Sequence, residues 1–183
     1  EELMSEEGHL HEVADTTLEV IGARQAIVFA AGVTHAQLLE EVFNRRREGV
    51  AVAIYGSMDE ARRERATRDF KSGTRQILIN VMIATEGFDH PATACVVMVR
   101  PTKSLLIYTQ CLGRGTRVLP GIIDDLDDAE SRLQAIANSA KPNVLVLDFV
   151  GNSTKHKLVT AAHVLGGEYS IRLQERAADK LRE

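Results

Sequence analysis

The chain of 183 residues contains two cysteines, and its longest apolar stretch, Ala92–Val99, is interrupted by Thr93. A stretch of this length is far too short to cross a bilayer. The first twenty residues contain no lysine or arginine, so they lack the cationic start of a secretory signal peptide. These absences argue against a membrane-spanning or secreted protein. We therefore expect an intracellular, cytoplasmic protein with no membrane partner.

The few cysteines and histidines do not form a metal-binding pattern. Cys95 lies in an apolar run and Cys111 in a segment of helical periodicity, and their spacing matches neither a zinc site nor a Cys-x-x-Cys motif. We expect both to be buried free thiols. His9 and His11 stand in an acidic segment, where solvated side chains are the ordinary outcome. The sequence therefore predicts no metal site.

Charge is distributed unevenly along the chain, which has a net charge of −4. Residues 1–20 carry seven acidic side chains, whereas residues 44–75 carry nine basic and five acidic ones. A local basic cluster can bind phosphate groups although the whole chain is acidic, but long arginine side chains also solvate ordinary surface helices. The hydrophobic content of 44% excludes a disordered chain and fits one sizeable domain. Because the first residue is Glu1, we expect the chain to be a piece of a longer one.

Apolar runs and helical periodicity alternate along the chain. We predict strands over 26–30, 50–54, 76–81, 94–99 and 143–150, with helices over 10–21, 34–48, 61–70, after Pro101-Thr102, briefly within 119–141, over 155–165 and over 171–183. Thr34 and Asp59 are the predicted N-caps. This pattern divides the chain into an acidic N-terminal helix or linker (1–24), a main domain (25–165) with an acidic connector (118–142), and a charged C-terminal helix or tail (166–183).

The strands are almost wholly apolar and do not alternate, and amphipathic helices separate most of them. Such strands are covered on both faces, so the predicted fold is α/β, an open parallel sheet with helices on both faces. In open parallel sheets, sites form beyond the carboxyl ends of the strands. This rule places at one edge residues 31–35, 55–57, 82–89, 100–103 and the loop after 150.

The stretch 108–117 combines one amide and two guanidinium groups. On a continuous helix Gln110, Arg114 and Arg117 would share one face, although Gly113 and Gly115 disfavour a long helix at that point. Two guanidinium groups held together suit a polyphosphate, because each presents a fixed fork of donors to phosphate oxygens. A surface arginine pair bonded to nearby carboxylates is the equally ordinary alternative.

Four segments follow one another in an order shared with a known group of enzymes. They are Ile27–Ala30 with Thr34–Ala36, Tyr55–Ser57 followed by Arg62, Phe70 and Gly73, Ala84–Pro91, and Gln110–Arg117. In this order they resemble motif four, the segment after it, motif five and motif six of the C-terminal domain of superfamily-two DEAD/DEAH-type helicases. The resemblance extends from about Arg24 to Val118 and implies a RecA-like domain.

The resemblance also implies roles for individual residues. Arg114 and Arg117 would act as arginine fingers and Gln110 would help to position the γ-phosphate or the attacking water. The implied nucleotide contacts are Gly87, Asp89 and Gly113, and the implied contacts with a nucleic-acid backbone are Gly32, Thr34, Ser57 and Thr85. The implied cofactor is ATP with Mg²⁺, held mainly by a first RecA-like domain of the same parent chain, and the implied partner is DNA or RNA.

Departures from the family pattern refine this interpretation. Gln110 replaces the histidine of the DEAD-box branch, and Thr85–Asp89 differs from its Ala-Arg-Gly-x-Asp; both resemble DNA-repair and restriction-type helicases, so we favour DNA over RNA. The chain contains no Gly-x-x-x-x-Gly-Lys-Ser/Thr phosphate loop and no Asp-Glu-x-Asp/His motif. We therefore predict that this piece alone is inactive. The alternative is a non-catalytic RecA-like module that binds nucleic acid or protein.

Overall fold

The computed structural model describes residues 2–81, 88–102 and 104–150. Its elements are α1 (Glu2–Ile21), β1 (Gln25–Phe29), α2 (Val33–Arg46), β2 (Ala51–Tyr55), α3 (Glu60–Lys71), β3 (Ile77–Val81), β4 (Thr93–Met98), α4 (Leu105–Gly113), α5 (Ala129–Ala137) and β5 (Leu145–Asp148). The predicted helix over 155–165 and the tail over 166–183 lie outside the described residues. No helix in the described part combines the length and the apolar character needed to cross a membrane.

The strands form one sheet in the order β2-β3-β1-β4-β5, and every neighbouring pair is parallel. Successive side chains of a strand point to opposite faces, and both faces of this sheet are covered. On one face α1 and α2 pack over Val28, Ile79 and Val97. On the other face α3 and α4 pack over Ile27 and Leu78 among others. The predicted open parallel sheet with helices on both faces is confirmed.

Helix α1 begins eight residues earlier than its apolar pattern indicated. The added residues include Glu2, Glu6 and Glu7, and they carry no apolar signal from which a helix could be predicted. Further along, Val13 and Ile21 are fully buried against the sheet. Helix α1 therefore belongs to the same hydrophobic core as α2.

The predicted helix starts were right for α3 and wrong for α2 and α4. Asp59 caps α3 by accepting a hydrogen bond from the backbone N–H of Arg62. Helix α2 instead begins after Gly32, with Thr34 already in its first turn and no side chain capping its end. Helix α4 is capped by Ser104 rather than opened by Pro101-Thr102, because the Ser104 hydroxyl accepts from the N–H of Ile107.

The connector over 118–142 contains one short helix, α5, as its sparse apolar residues predicted. Asp128 caps this helix by accepting from the N–H of Ser131 at 2.8 Å. Hydrogen bonds from the Ser131 side chain and from this N–H lower the pKa of the Asp128 carboxyl. None of the residues of α5 is buried. The connector therefore runs over the surface and returns the chain to β5 at the edge of the sheet.

Candidate functional site

Helix α4 carries the first half of the stretch 108–117 and ends before the arginines. Tyr108 and Leu112, on the inner face of α4, are fully buried. After Gly113 the hydrogen bonds shorten to i−3 spacing, from the N–H of Arg114 to the carbonyl of Cys111 and from Gly115 to Leu112. Arg114 is thus the C-cap of α4, and Arg117 lies beyond the helix. Gln110, Arg114 and Arg117 therefore do not share one continuous helical face, and the helix ends at the point where Gly113 and Gly115 disfavoured it.

Gly115 explains why the chain turns here, since it packs directly against the sheet. A Cβ atom at this position would lie 2.4 Å from a methyl group of Val144 and 2.9 Å from one of Val96. Real Cβ atoms do not approach other atoms so closely. The absence of a side chain therefore lets the backbone after α4 approach β4 and the residue before β5, close to the point where α4 ends.

We predict that Gly115→Ala lowers the free energy of unfolding of the domain by about 2 kcal/mol, because the added methyl overpacks two β-branched side chains. Urea-induced unfolding measures this loss. Gly113→Ala is the matched control, because nothing lies within 4 Å of its would-be Cβ. Alanine in a helix is more favourable than glycine by about 1 kcal/mol, so the control should be neutral or stabilised. Equal stability of the two variants would contradict the packing argument.

Both arginines contact the segment that precedes β4. Arg114 donates from Nη1 to the carbonyl oxygen of Phe88 at 2.7 Å. Arg117 forms an ion pair with Asp89, with 3.1 Å between Nη1 and Oδ2. The Arg117 and Asp89 side chains are 58% and 50% exposed, so the pair contributes at most about 1 kcal/mol. Gln110 is exposed on the last turns of α4.

This corner lies at the amino end of the sheet, whereas the rule of carboxyl ends placed residues 82–89 at the opposite edge. His90 bonds through Nε2 to Oε1 of Gln25, the first residue of β1, at 2.8 Å. Since β3 and β4 are parallel, the chain between them must return to the amino end before β4 starts. Asp89 lies shortly before β4 and therefore at the amino end of the sheet. The prediction that 82–89 lies wholly at the carboxyl edge is wrong for Asp89.

Two titratable groups that the sequence did not single out lie beside this corner. Lys141 is only 9% exposed, and its Nζ donates to the carbonyl of Pro91 at 2.6 Å and to that of Arg117 at 2.7 Å. Burial lowers the pKa of Lys141 to about 8. Burial also lowers the pKa of His90, with Lys71 and Lys141 adding to the effect and Asp89 opposing it. Nothing in the sequence distinguishes Lys141 from a solvated lysine.

The predicted nucleic-acid contacts lie at the other edge. Gly32 and Thr34 follow β1, and Ser57 lies in the exposed turn after β2. Strand β3 lies between these two strands. Because no side chain caps α2, the first N–H groups of this helix remain open to an anion such as a backbone phosphate. Thr85 and Gly87 lie outside the described residues.

The corner at Arg114 and Arg117 fits part of a polyphosphate site. Two guanidinium groups, one buried in part and one exposed, supply the donors that phosphate oxygens accept. Among the described residues, no group of three or more His, Cys, Asp or Glu side chains could hold a metal ion. A cleft of about 1000 Å³ between α2 and α3 includes neither arginine. Of ATP with Mg²⁺, the implied cofactor, this corner therefore fits the phosphate groups.

The sequence model of the family described as "Helicase conserved C-terminal domain" matches residues 9–118. A relative named "Putative ATP-dependent helicase IRC3", from Saccharomyces cerevisiae, is 26% identical over 86% of this chain and 19% of its own length. The type I restriction enzyme EcoKI endonuclease subunit of Escherichia coli is 24% identical over 90% of this chain and 16% of its own length. This chain spans at most about a fifth of the length of these relatives.

Among solved structures, S. cerevisiae Dbp5 bound to RNA and ADP BeF3 resembles the chain with a TM-score of 0.55. It is 18% identical, and the match covers 82% of this chain and 41% of that one. This likeness confirms the RecA-like fold of a helicase C-terminal domain, as the motifs over 24–118 predicted.

Proposed function

The chain belongs to the family of helicase conserved C-terminal domains, and from this premise we propose that it is the second RecA-like domain of a larger ATP-dependent helicase or translocase. The observation that carries the proposal is the convergence of Arg114 and Arg117 on Phe88 and Asp89, which holds two guanidinium groups at one open corner. Relatives assigned as ATP-dependent helicases are about five times as long as the match. In the parent protein, a first domain would supply the phosphate loop.

The proposed chemistry is the stabilisation of charge during phosphoryl transfer. ATP with Mg²⁺ would supply the transferred γ-phosphoryl group. Arg114 and Arg117 donate hydrogen bonds towards it and offset the charge that develops on its oxygens, a contribution on the order of 10³–10⁵ in rate for arginine fingers. Gln110, exposed beside them, orients the γ-phosphate or the water. The proposed nucleotide contacts are Gly87, Asp89 and Gly113, and the ion pair of Asp89 with Arg117 links them to that arginine.

The proposed nucleic-acid surface is the carboxyl edge of the sheet. The open N-terminus of α2 with Gly32 and Thr34, together with Ser57 and Thr85, would contact backbone phosphates. Such contacts are largely independent of base sequence and weaken with salt. We propose DNA over RNA because Gln110 departs from the DEAD-box pattern, and similarity to a restriction enzyme subunit supports this choice. The parent protein would work inside the cell.

A second candidate function is a RecA-like module that binds nucleic acid or protein without catalysis. The observation that favours it is that both arginines already have partners within the domain, Phe88 and Asp89. In that case the contacts serve only to hold the corner together. The two candidates differ in one measurement, the dependence of ATP hydrolysis by the parent protein on Arg114.

We predict that the double variant Thr34→Glu, Ser57→Glu of the parent protein binds single-stranded DNA about tenfold more weakly, because two carboxylates would face the phosphates. Fluorescence anisotropy with oligonucleotides of several sequences measures this at two salt concentrations. The loss should be the same for each sequence. Thr74→Glu is the control, since Thr74 is equally exposed but precedes β3 at the amino end. A similar loss in both variants would contradict the assigned surface.

A further inference from the structure

Lys141 is a buried cation that joins two segments distant in sequence. Its Nζ donates to the carbonyl of Pro91, fifty residues away, and to the carbonyl of Arg117, twenty-four residues away. Both bonds are short, at 2.6 and 2.7 Å, as is typical of a charged donor. Each acceptor lies within two residues of a member of the Asp89–Arg117 ion pair. Lys141 thus connects the backbones that carry the two charged side chains.

The place of Arg117 in the chain explains why such a connection matters. The i−3 hydrogen bonds that continue α4 end with the N–H of Thr116, which donates to Gly113 at 3.4 Å. Arg117 therefore follows the last turn and is not part of a helix or strand. Its ion pair with Asp89 is half exposed and too weak to fix an arginine side chain by itself. The contact of Lys141 with the Arg117 carbonyl supplies the missing anchor.

We propose that Lys141 is a positioning residue for the arginine-finger site, which fixes the backbone of Arg117 against the segment of Asp89. The inference rests on the proposed role of Arg117 in phosphoryl transfer. Lys141 itself does not touch the nucleotide. Its ammonium group holds the two carbonyls at a fixed separation, so that the Arg117 guanidinium keeps one direction when Asp89 releases it to a phosphate. Loss of this anchor should reduce the rate of the chemical step more than the affinity for ATP, because a small misplacement of a catalytic group is costly.

The charged groups around Lys141 set how the contact responds to pH. His90 lies within electrostatic reach, Arg24 lines the same cavity of about 450 Å³, and Asp89 and Arg117 form the pair that Lys141 connects. Burial lowers the pKa of Lys141 to about 8. The pKa of Lys141 is higher in the unfolded chain, so as the pH rises the ammonium group loses its proton in the native state before it does so in the unfolded chain. Deprotonation therefore weakens the two charge-assisted bonds above pH 8 but does not lower the stability of the fold.

The test uses the full-length parent protein and a double-mutant cycle of Lys141→Met and Arg117→Ala. We expect Lys141→Met to lower kcat by about tenfold to a hundredfold, with the KM for ATP changed by less than about threefold. In the Arg117→Ala background it should cause no further loss. Arg132→Met, an exposed cation of the same connector, is the control and should leave kcat unchanged.

The outcomes of the cycle separate the two proposals. If Arg117→Ala leaves kcat unchanged, the proposed finger role of Arg117 fails, and the inference about Lys141 fails with it. If Arg117→Ala lowers kcat but Lys141→Met has no effect, or a fully additive one, only the inference about Lys141 is overturned.

The wild-type protein offers a second readout that does not depend on the folding of a variant. We expect kcat to decline as the pH rises through about 8, while the thermal midpoint does not fall over the same range. The residual kcat of the Arg117→Ala variant should not decline over this pH range. A wild-type kcat that stays constant up to pH 9.5, or a thermal midpoint that falls together with kcat, would overturn the proposal.

Discussion

Replacement of Arg114 by alanine in the full-length protein is expected to lower kcat for ATP hydrolysis by about 10³–10⁵ and to change the Kd for ATP by less than about threefold. The guanidinium of Arg114 is the better fixed of the two, because it is partly buried and donates to Phe88 at 2.7 Å. A finger fixed in this way requires little rearrangement as charge develops, so its contribution appears in the transition state rather than in the binding of ATP. Steady-state hydrolysis with saturating DNA and equilibrium binding of a labelled nucleotide measure the two constants.

The variant also loses a local contact, and the controls must separate this loss from catalysis. Without Arg114 the carbonyl of Phe88 loses a donor, at a cost of about 1–3 kcal/mol of stability. Phe88 remains held by its packing on Phe70, with 6.1 Å between ring centroids. Arg114→Lys keeps the charge without the fork and should recover only part of the rate. Arg132→Ala removes an exposed arginine and should retain the full rate. A kcat of Arg114→Ala within about twofold of the wild type would favour the non-catalytic module.

The sheet was predictable because the apolar composition of its strands indicates that both of their faces are buried. Ile27, Ile79 and Val97 belong to apolar runs without alternation, and all three are fully buried under helices. Strands of this type indicate a parallel sheet covered on both faces, whatever their order. The order β2-β3-β1-β4-β5 itself was not predicted, since neighbours in this sheet are set by packing between distant segments.

The roles of the site residues stay a prediction, and the geometry around Arg114 and Arg117 was not foreseen in full. The motif that contains Arg114 and Arg117 has a helical spacing, yet the close approach of Gly115 to Val144 ends α4 between them. This contact joins the motif to Val144, just before β5, and local periodicity does not identify such a distant partner. Lys141 was missed for the same reason, because burial and two carbonyl partners distinguish it only after folding. Asp89 was assigned to the wrong edge because the rule of carboxyl ends applies to residues directly after a strand. Asp89 instead lies shortly before β4, where the chain has already reached the amino end of the sheet.

The isolated domain is expected to hydrolyse ATP no faster than buffer, with or without DNA. Its sequence contains no phosphate loop, and its arginines lie at an open corner where solvent competes for the exposed guanidinium of Arg117. Two donors at an open corner bind a polyphosphate weakly, and the affinity falls with salt because dissolved ions screen charges near the surface, with a Debye length of about 10 Å at 0.1 M. We expect a Kd for ATP weaker than about 1 mM. A coupled assay at high enzyme concentration measures turnover, with the parent protein as the positive control.

Absence of activity is informative only if the isolated domain is folded. A cooperative urea transition demonstrates folding, and slow reaction of Cys95 and Cys111 with a thiol reagent supports it, since both thiols are buried and burial raises the pKa of Cys95 to about 12 and that of Cys111 to about 11. If a folded domain turned over ATP, the Arg114→Ala variant of that domain would decide the cause. Turnover that persisted would come from a contaminant. Turnover that disappeared would show that this domain contains a complete site, and the proposal of an active site shared with a first domain would be wrong.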